Sequence, residues 1–377
     1  MKKALYFYFK ILMLSAVFCL LGISVGCSTE FIEPFDFGGL RYEYELVSHS
    51  DGKYIVITKH IVSETDVVIP DSIYGIPVRE VADSAFAGDM GIKSVITGKN
   101  LQTIGGRAFS ECTALETVTY DNGLYQVGEG AFYGCTSLKS FARTVSPSDI
   151  SSSTAGGIEN AAFYGCTALE SVEFMQNTAE IGDYSFSGCT SLKSVKIPQS
   201  VNKVGRGAFY SCKSLSKITV PDNLSSIGGR AFSETPWLGS QKQEFVTVGD
   251  GVLIQYNGKR KNVELPARVR QISGAFAGNR NIESIIFNTN LRVIGDMAFM
   301  GCTSLKSVTI PNKVTAVGDE AFCGCSSLKS VSFGSGTESI GKNAFKYCDI
   351  AQIYLPRNSA AHKYCAANNL DYSFNDD

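Results

Sequence analysis

The sequence predicts a β-rich solenoid, a stack of near-identical coils, and two observations carry that expectation. First, an Ala-Phe pair (Ser-Phe at Ser185) recurs eleven times, at Phe86, Phe109, Phe132, Phe163, Phe186, Phe209, Phe232, Phe276, Phe299, Phe322 and Phe345. Consecutive phenylalanines are 23, 23, 31, 23, 23, 23, 44, 23, 23 and 23 residues apart. A fixed period of this size marks stacked supersecondary units, each burying its apolar face only against its neighbours. Second, the period carries a short run alternating polar and apolar residues, such as Ser194 to Ile197, the signature of a half-buried strand.

Residues 1–27 precede the fold. Lys2 and Lys3 lead into an apolar run, Ile11 to Ile23, that is short for a membrane span. It ends Ser24-Val25-Gly26-Cys27, followed by polar Ser28-Thr29-Glu30. A small residue directly before Cys at such a boundary resembles a bacterial lipoprotein signal, in which Cys27 becomes the first residue and carries the lipid. Ser24 departs from the Leu usual three residues before that Cys, and ordinary signal cleavage is the alternative. Both routes export the chain. Residues 28–66 read as a linker and β cap. Leu40 to Val47 and Lys53 to Ile61, either side of Ser50-Asp51-Gly52, form a hairpin that shields the first coil.

Residues 67–356 make the repeat array. In the copy from Cys189 to Ser211, Pro198 ends the first strand because it cannot donate a ladder hydrogen bond. Leu192, Val195, Ile197, Val201, Val204 and Phe209 supply that coil's core. Gly205, matched by Gly105, Gly128, Gly182, Gly228, Gly295, Gly318 and Gly341, is expected to provide positive φ at a turn. Ala208 then permits close approach, and Phe209 fills the coil. The consensus C-x-x-L-x-x-V-x-I-P-x-x-V-x-x-I-G-x-x-A-F resembles the BspA-like leucine-rich-repeat family, with Cys302 to Pro311 and Leu215 to Pro221 among the matching stretches. The resemblance implies a curved, right-handed leucine-rich-repeat solenoid with a concave parallel sheet. It also implies an exported or surface protein that binds host matrix proteins or other cells.

Two intervals break the period. The interval of 31 holds a Ser/Gly/Pro-rich stretch, 143–157, that reads as a surface loop. The interval of 44 holds Thr235-Pro236-Trp237-Leu238 and then two β-rich runs joined through Gly249-Asp250-Gly251, so 235–262 reads as a hairpin insertion. Trp237, the single tryptophan, is either a plug where the coil is remodelled or a ligand anchor. Residues 357–377 form a C-terminal helical cap, Ser359 to Leu370, and a tail.

Chemistry has few footholds in this chain. Its 34 basic and 36 acidic side chains offer no basic field for nucleic acid. Cys112, Cys135, Cys166, Cys189, Cys212, Cys302, Cys325 and Cys348 each follow a repeat Phe by three residues. They read as small buried packing residues, since a straight row does not converge on a metal. His49, His60 and His362 all lie outside the repeats, so neither an enzyme nor a cofactor is expected.

What remains is the strand face. One outward row runs Ser94, Thr117, Ser140, Ser171, Ser194, Lys217, Ser284, Ser307, Ser330 and Gln352. Its neighbour runs Ile96, Thr119, Ala142, Glu173, Lys196, Thr219, Ile286, Thr309, Ser332 and Tyr354. These hydroxyl-rich rows suggest a shallow hydrogen-bonding trough. Glu173, Lys196, Lys217, Trp237 and Tyr354 are the candidate binding residues. The expected role is protein-protein interaction or adhesion to macromolecules on host or bacterial surfaces, from a lipid anchor in the outer membrane or cell surface. A carbohydrate-binding module, with a glycan as ligand, and a structural envelope protein are the alternatives.

Overall fold

A computed structural model describes residues 30–31, 35–37, 40–61, 64–144 and 155–375. Cys27, the segment expected to act as an export signal and most of the 143–157 loop lie outside the described residues. The chain winds as a solenoid with two parallel β ladders. The first collects the repeat strands in three pieces: five strands from Asp66–Ile69 to Ser171–Val172, two at Ser194–Lys196 and Lys217–Thr219, and six from Asn262–Glu264 to Ser373–Phe374. The second collects the short segments before the glycine row, such as Thr103–Ile104, Gln126–Val127 and Lys203–Val204. Register follows the period: Val118 lies opposite Val95 on one side and Phe141 on the other. Every coil therefore presents the same residues inward.

The eleven repeat phenylalanines are the spine. All are buried, with Phe345 the most exposed at 6%. From Phe86 to Phe232 successive rings lie 4.7–5.7 Å apart, at interplanar angles of 2–17°. A second run joins Phe276, Phe299, Phe322 and Phe345 at 4.9–5.2 Å. The spacing is that of adjacent strands, so the aromatic stack and the backbone ladders share one repeat distance.

The glycine row has a different physical reason from the one expected. None of its eight members has positive φ. A Cβ on Gly205 would instead lie 2.5 Å from both Asp183 N and Gly182 C, so glycine is there because the preceding coil presses against it. Positive φ falls two residues before the repeat Phe, and it is tolerated even by Arg107, Tyr184, Arg230 and Met297 (φ 53–60°).

An antiparallel hairpin forms from Leu40–His49 and Gly52–His60. Its second strand pairs in parallel with Ile76–Val81, and the Tyr42 ring lies 6.1 Å from that of Phe86. Two short strands, Glu30–Phe31 and Phe35–Phe37, pair with the first hairpin strand. At the other end, Ser359 caps the helix Ala360–Ala367 by accepting from His362 N. Tyr364 packs against Phe345, and Ala361 and Cys365 are buried. The tail is not a plain extension: Ser373–Phe374 adds a parallel strand beside Tyr354 and Leu355.

The two insertions differ. Gly156 and Gly157, assigned to the loop from sequence, belong instead to the strand Gly156–Ile158, with Gly157 opposite Gln126. A Cβ on Gly156 would lie 1.9 Å from Tyr125 O, so only glycine re-enters the ladder there. In the second insertion, Thr235 caps the single helical turn Pro236–Gly239, and Phe245–Val248 pairs antiparallel with Val252–Tyr256. This hairpin divides the core. Val252 and Ile254 join the apolar cluster that begins at Tyr42, whereas Leu253 and Tyr256 join the one that ends at Cys365. Val252 and Leu253, adjacent in the strand and so on opposite faces, thus belong to different cores.

Candidate interaction surface

The strand face carries the candidate residues. In its outer row Ser94, Thr117, Ser140 and Ser171 are successive register partners, and Ser284, Ser307, Ser330 and Gln352 continue the pattern in the last sheet. The structure adds members that lie outside the sequence consensus. Asp66 and Asn262 head the outer row, and Val68, Glu264 and Ser373 join the inner one. Their signal was register rather than motif, since each pairs with a consensus position one coil away.

Polar side chains on this face bond along the stack. Ser94 Oγ donates to Asp66 Oδ1 at 2.5 Å, and Ser284 Oγ donates to Asn262 Oδ1 at 2.7 Å. Hydrogen bonds from Ser94 and Thr65 hold the Asp66 carboxyl below the usual carboxylate range. The isolated two-stranded piece differs. Lys196 and Lys217 are exposed, sit diagonally across paired strands, and make no ion pair among the described residues. Other lysines are engaged one coil away, as Lys139 is with Glu116 at 2.5 Å and Lys193 with Glu170 at 2.6 Å. Two uncommitted ammonium groups beside open hydroxyl rows form a polar, cationic patch.

The other candidates are placed differently. Glu173 is exposed, but its carboxylate accepts from Arg143 N at 3.2 Å, where the chain leaves for the first insertion. Tyr354 lies on the strand face, 38% exposed, opposite Ser332. Trp237 is not on that face. Its ring is half-buried, 5.3 Å from that of Phe232 and at 68° to it, where the phenylalanine spine is interrupted. It packs edge-on against the last ring of the first run.

A sequence profile described as BspA type Leucine rich repeat region (6 copies) matches residues 63–154, 145–244 and 254–371. The chain belongs to the BspA-type leucine-rich repeat family. Solved structures similar to this BspA-type chain include a leucine-rich cell surface protein of Faecalibacterium prausnitzii, at 23% identity over 92% of this chain and 96% of that one, with a TM-score of 0.47. A leucine-rich repeat protein of Bacteroides ovatus is 20% identical over 93% and 99%, with a TM-score of 0.39. The pneumococcal vaccine antigen PcpA is 16% identical over 92% and 99%, with a TM-score of 0.37. A comparison with curated proteins found no match.

The cysteines of the BspA-type repeats do more than pack. Each donates its thiol to the carbonyl of the Phe one coil back: Cys112 to Phe86 at 3.1 Å, Cys189 to Phe163 at 3.2 Å, Cys302 to Phe276 at 3.1 Å. Burial pushes the Cys112 and Cys212 thiols up to about 12, so they stay protonated and unreactive near neutrality. Asp89 and Asn279 take the equivalent position in the first coil of each aromatic run, where no earlier Phe carbonyl waits. There the side chain accepts instead, from Gly91 N in one case and from Asn281 N and Ile282 N in the other. His60 pairs with Asp89 at 2.9 Å and His362 with the Tyr372 hydroxyl at 2.8 Å. Among the described residues, no three His, Cys, Asp or Glu side chains converge on a metal position, and no helix is long and apolar enough to cross a membrane.

Proposed function

We propose that this BspA-type protein is an exported, lipid-anchored interaction protein that binds a protein on host or bacterial surfaces through its strand face. The observation that carries the reading is the open face of hydroxyl rows, within which Lys196 and Lys217 stay uncommitted while neighbouring lysines are paired. A long, shallow, polar surface suits a macromolecular partner better than a small molecule, which favours a concave site. Family membership supports the same direction, since leucine-rich repeats generally bind other proteins. Export and the anchor rest on the segment ending at Cys27.

A glycan partner is the second reading, favoured by Tyr354, an exposed ring set among hydroxyls. The decisive experiment combines two measurements. Protease shaving of intact cells is expected to release fragments of the solenoid, and Lys196→Ala with Lys217→Ala is expected to weaken capture of a surface protein partner severalfold. Full protection of the chain on intact cells removes the surface role. A glycan array that responds to Tyr354→Ala, with no protein captured, replaces the partner class.

A further inference from the structure

Within each block, the turn carrying Ala-Phe is stitched to the next by three backbone donors. Arg107, Phe109 and Glu111 N–H groups donate to the Glu129, Ala131 and Tyr133 carbonyls at 2.7–2.8 Å. The last turn of the first block offers the same groups at Arg230, Phe232 and Glu234, and the first turn of the second block offers the matching carbonyls at Ser273, Ala275 and Ala277. None of the three bonds forms. The Ala275 carbonyl accepts from Tyr256 N at 3.1 Å, and among the described residues the other five groups have no hydrogen-bond partner.

The gap between the blocks is a wedge. At its closed edge Gln271 Nε2 and Ser273 Oγ donate to the Ile227 and Gly228 carbonyls, both at 2.8 Å. Also there, Arg206 reaches Glu320 at 3.0 Å, and a Cβ on Gly229 would lie 2.5 Å from Asp296 O. Farther round the coil the walls part into a cleft of about 600 Å3, bordered by Leu238, Ile254 and Met300 with two arginines, Arg230 and Arg280. Arg230 lies over the Tyr210 ring at 4.6 Å and 3.8 Å from Glu234, whereas Arg280 makes no ion pair among the described residues.

We infer that this cleft binds a short peptide segment bearing a carboxylate. Within the cleft lining, among the described residues, the Arg230 N–H is an unpaired donor and the Ala277 carbonyl an unpaired acceptor, so a peptide laid along it meets one backbone partner for a carbonyl and one for an N–H. The guanidinium of Arg280 selects for a carboxylate, with which it forms a charge-assisted pair. The volume lies within the range of ligand sites. The site uses no strand-face residue, so it stands or falls apart from the function proposed above.

Trp237 is the natural reporter, being the single tryptophan and adjacent to Leu238 of the cleft wall. The full chain is titrated with an array of short capped peptides, each acidic member matched to its amide counterpart, while Trp237 fluorescence is followed. An acidic peptide is expected to bind at least about tenfold more tightly than its amide partner, and Arg280→Ala is expected to remove roughly that factor. Melting of the Arg280→Ala protein is expected to match the wild type, since the side chain is at the surface. The Lys196→Ala/Lys217→Ala protein is expected to bind the peptide normally. The inference is overturned if no acidic peptide exceeds its amide partner, if Arg280→Ala leaves binding unchanged, or if the lysine variant abolishes it.

Discussion

At the scale of single residues, the cysteine thiol is the least conspicuous bond and the most regular. It is buried, so its ionisation is linked to stability. In the unfolded chain these thiols ionise near their ordinary value of 9, whereas Cys112 and Cys212 in the fold ionise only at about 12. A folded value raised above the unfolded one gives stability that is complete below pH 9 and lost as pH rises towards 12. The melting temperature is therefore expected to fall above pH 9, and Cys112→Ala with Cys212→Ala is expected to flatten that slope in calorimetry between pH 8 and 11. An unchanged slope would show that other groups control alkaline unfolding. Burial of the cysteine row was readable from its period. The donation to the preceding Phe was not, because sequence spacing does not reveal which carbonyl of the neighbouring coil a side chain meets. The glycine row shows the same limit, since pattern alone cannot separate a glycine chosen for φ from one chosen for close approach.

At the scale of elements, the coils were legible from polar-apolar alternation and from Pro198-like breaks, and the second insertion was legible as a hairpin from Gly249-Asp250-Gly251. Its two-sided role was hidden, since Leu253 and Ile254 are both simply apolar in sequence yet serve different cores. Two variants probe these elements. Gly156→Ala forces a Cβ to within 1.9 Å of the Tyr125 carbonyl, so the strand must shift or unpair. A loss of about 2 kcal/mol or more is expected by denaturant titration. Trp237→Ala removes the ring packed on Phe232 at the interrupted spine, with an expected loss of roughly 2–3 kcal/mol. Partner capture by Lys196 and Lys217 should survive it. If capture were lost with stability intact, Trp237 would be a ligand anchor after all.

At the scale of the whole molecule, the apolar core of the solenoid is divided into two blocks. Contacts between the blocks crowd one edge, and the Arg206–Glu320 pair, bridging coils far apart in sequence, fastens it. Both side chains are about a quarter to a third exposed, so the pair contributes at most about 1 kcal/mol to stability. Its geometric effect is larger than its energetic one. Arg206→Ala is expected to leave the melting temperature nearly unchanged while increasing the maximum dimension in small-angle scattering, as the joint between the blocks loosens. Identical scattering profiles would mean that Gln271 and Ser273 hold the joint alone. The spacing of 44 announced a discontinuity in the sequence, and the replacement of Cys by Thr235 and Asn279 on either side marked its borders. The loss of the backbone bonds at the joint could not be read, because spacing does not reveal which donors and acceptors meet.

The backward donation from each thiol sets a rule for how such a chain can lengthen. A copied coil brings its own donor and finds an acceptor already waiting on the coil before it, so a tandem duplication inside a block needs no compensating substitution. A duplication at the head of a block does not share this freedom: the copied Asp89 or Asn279 becomes internal, a turn-capping acceptor facing a carbonyl that needs a donor. Growth is therefore easiest from the middle of a block.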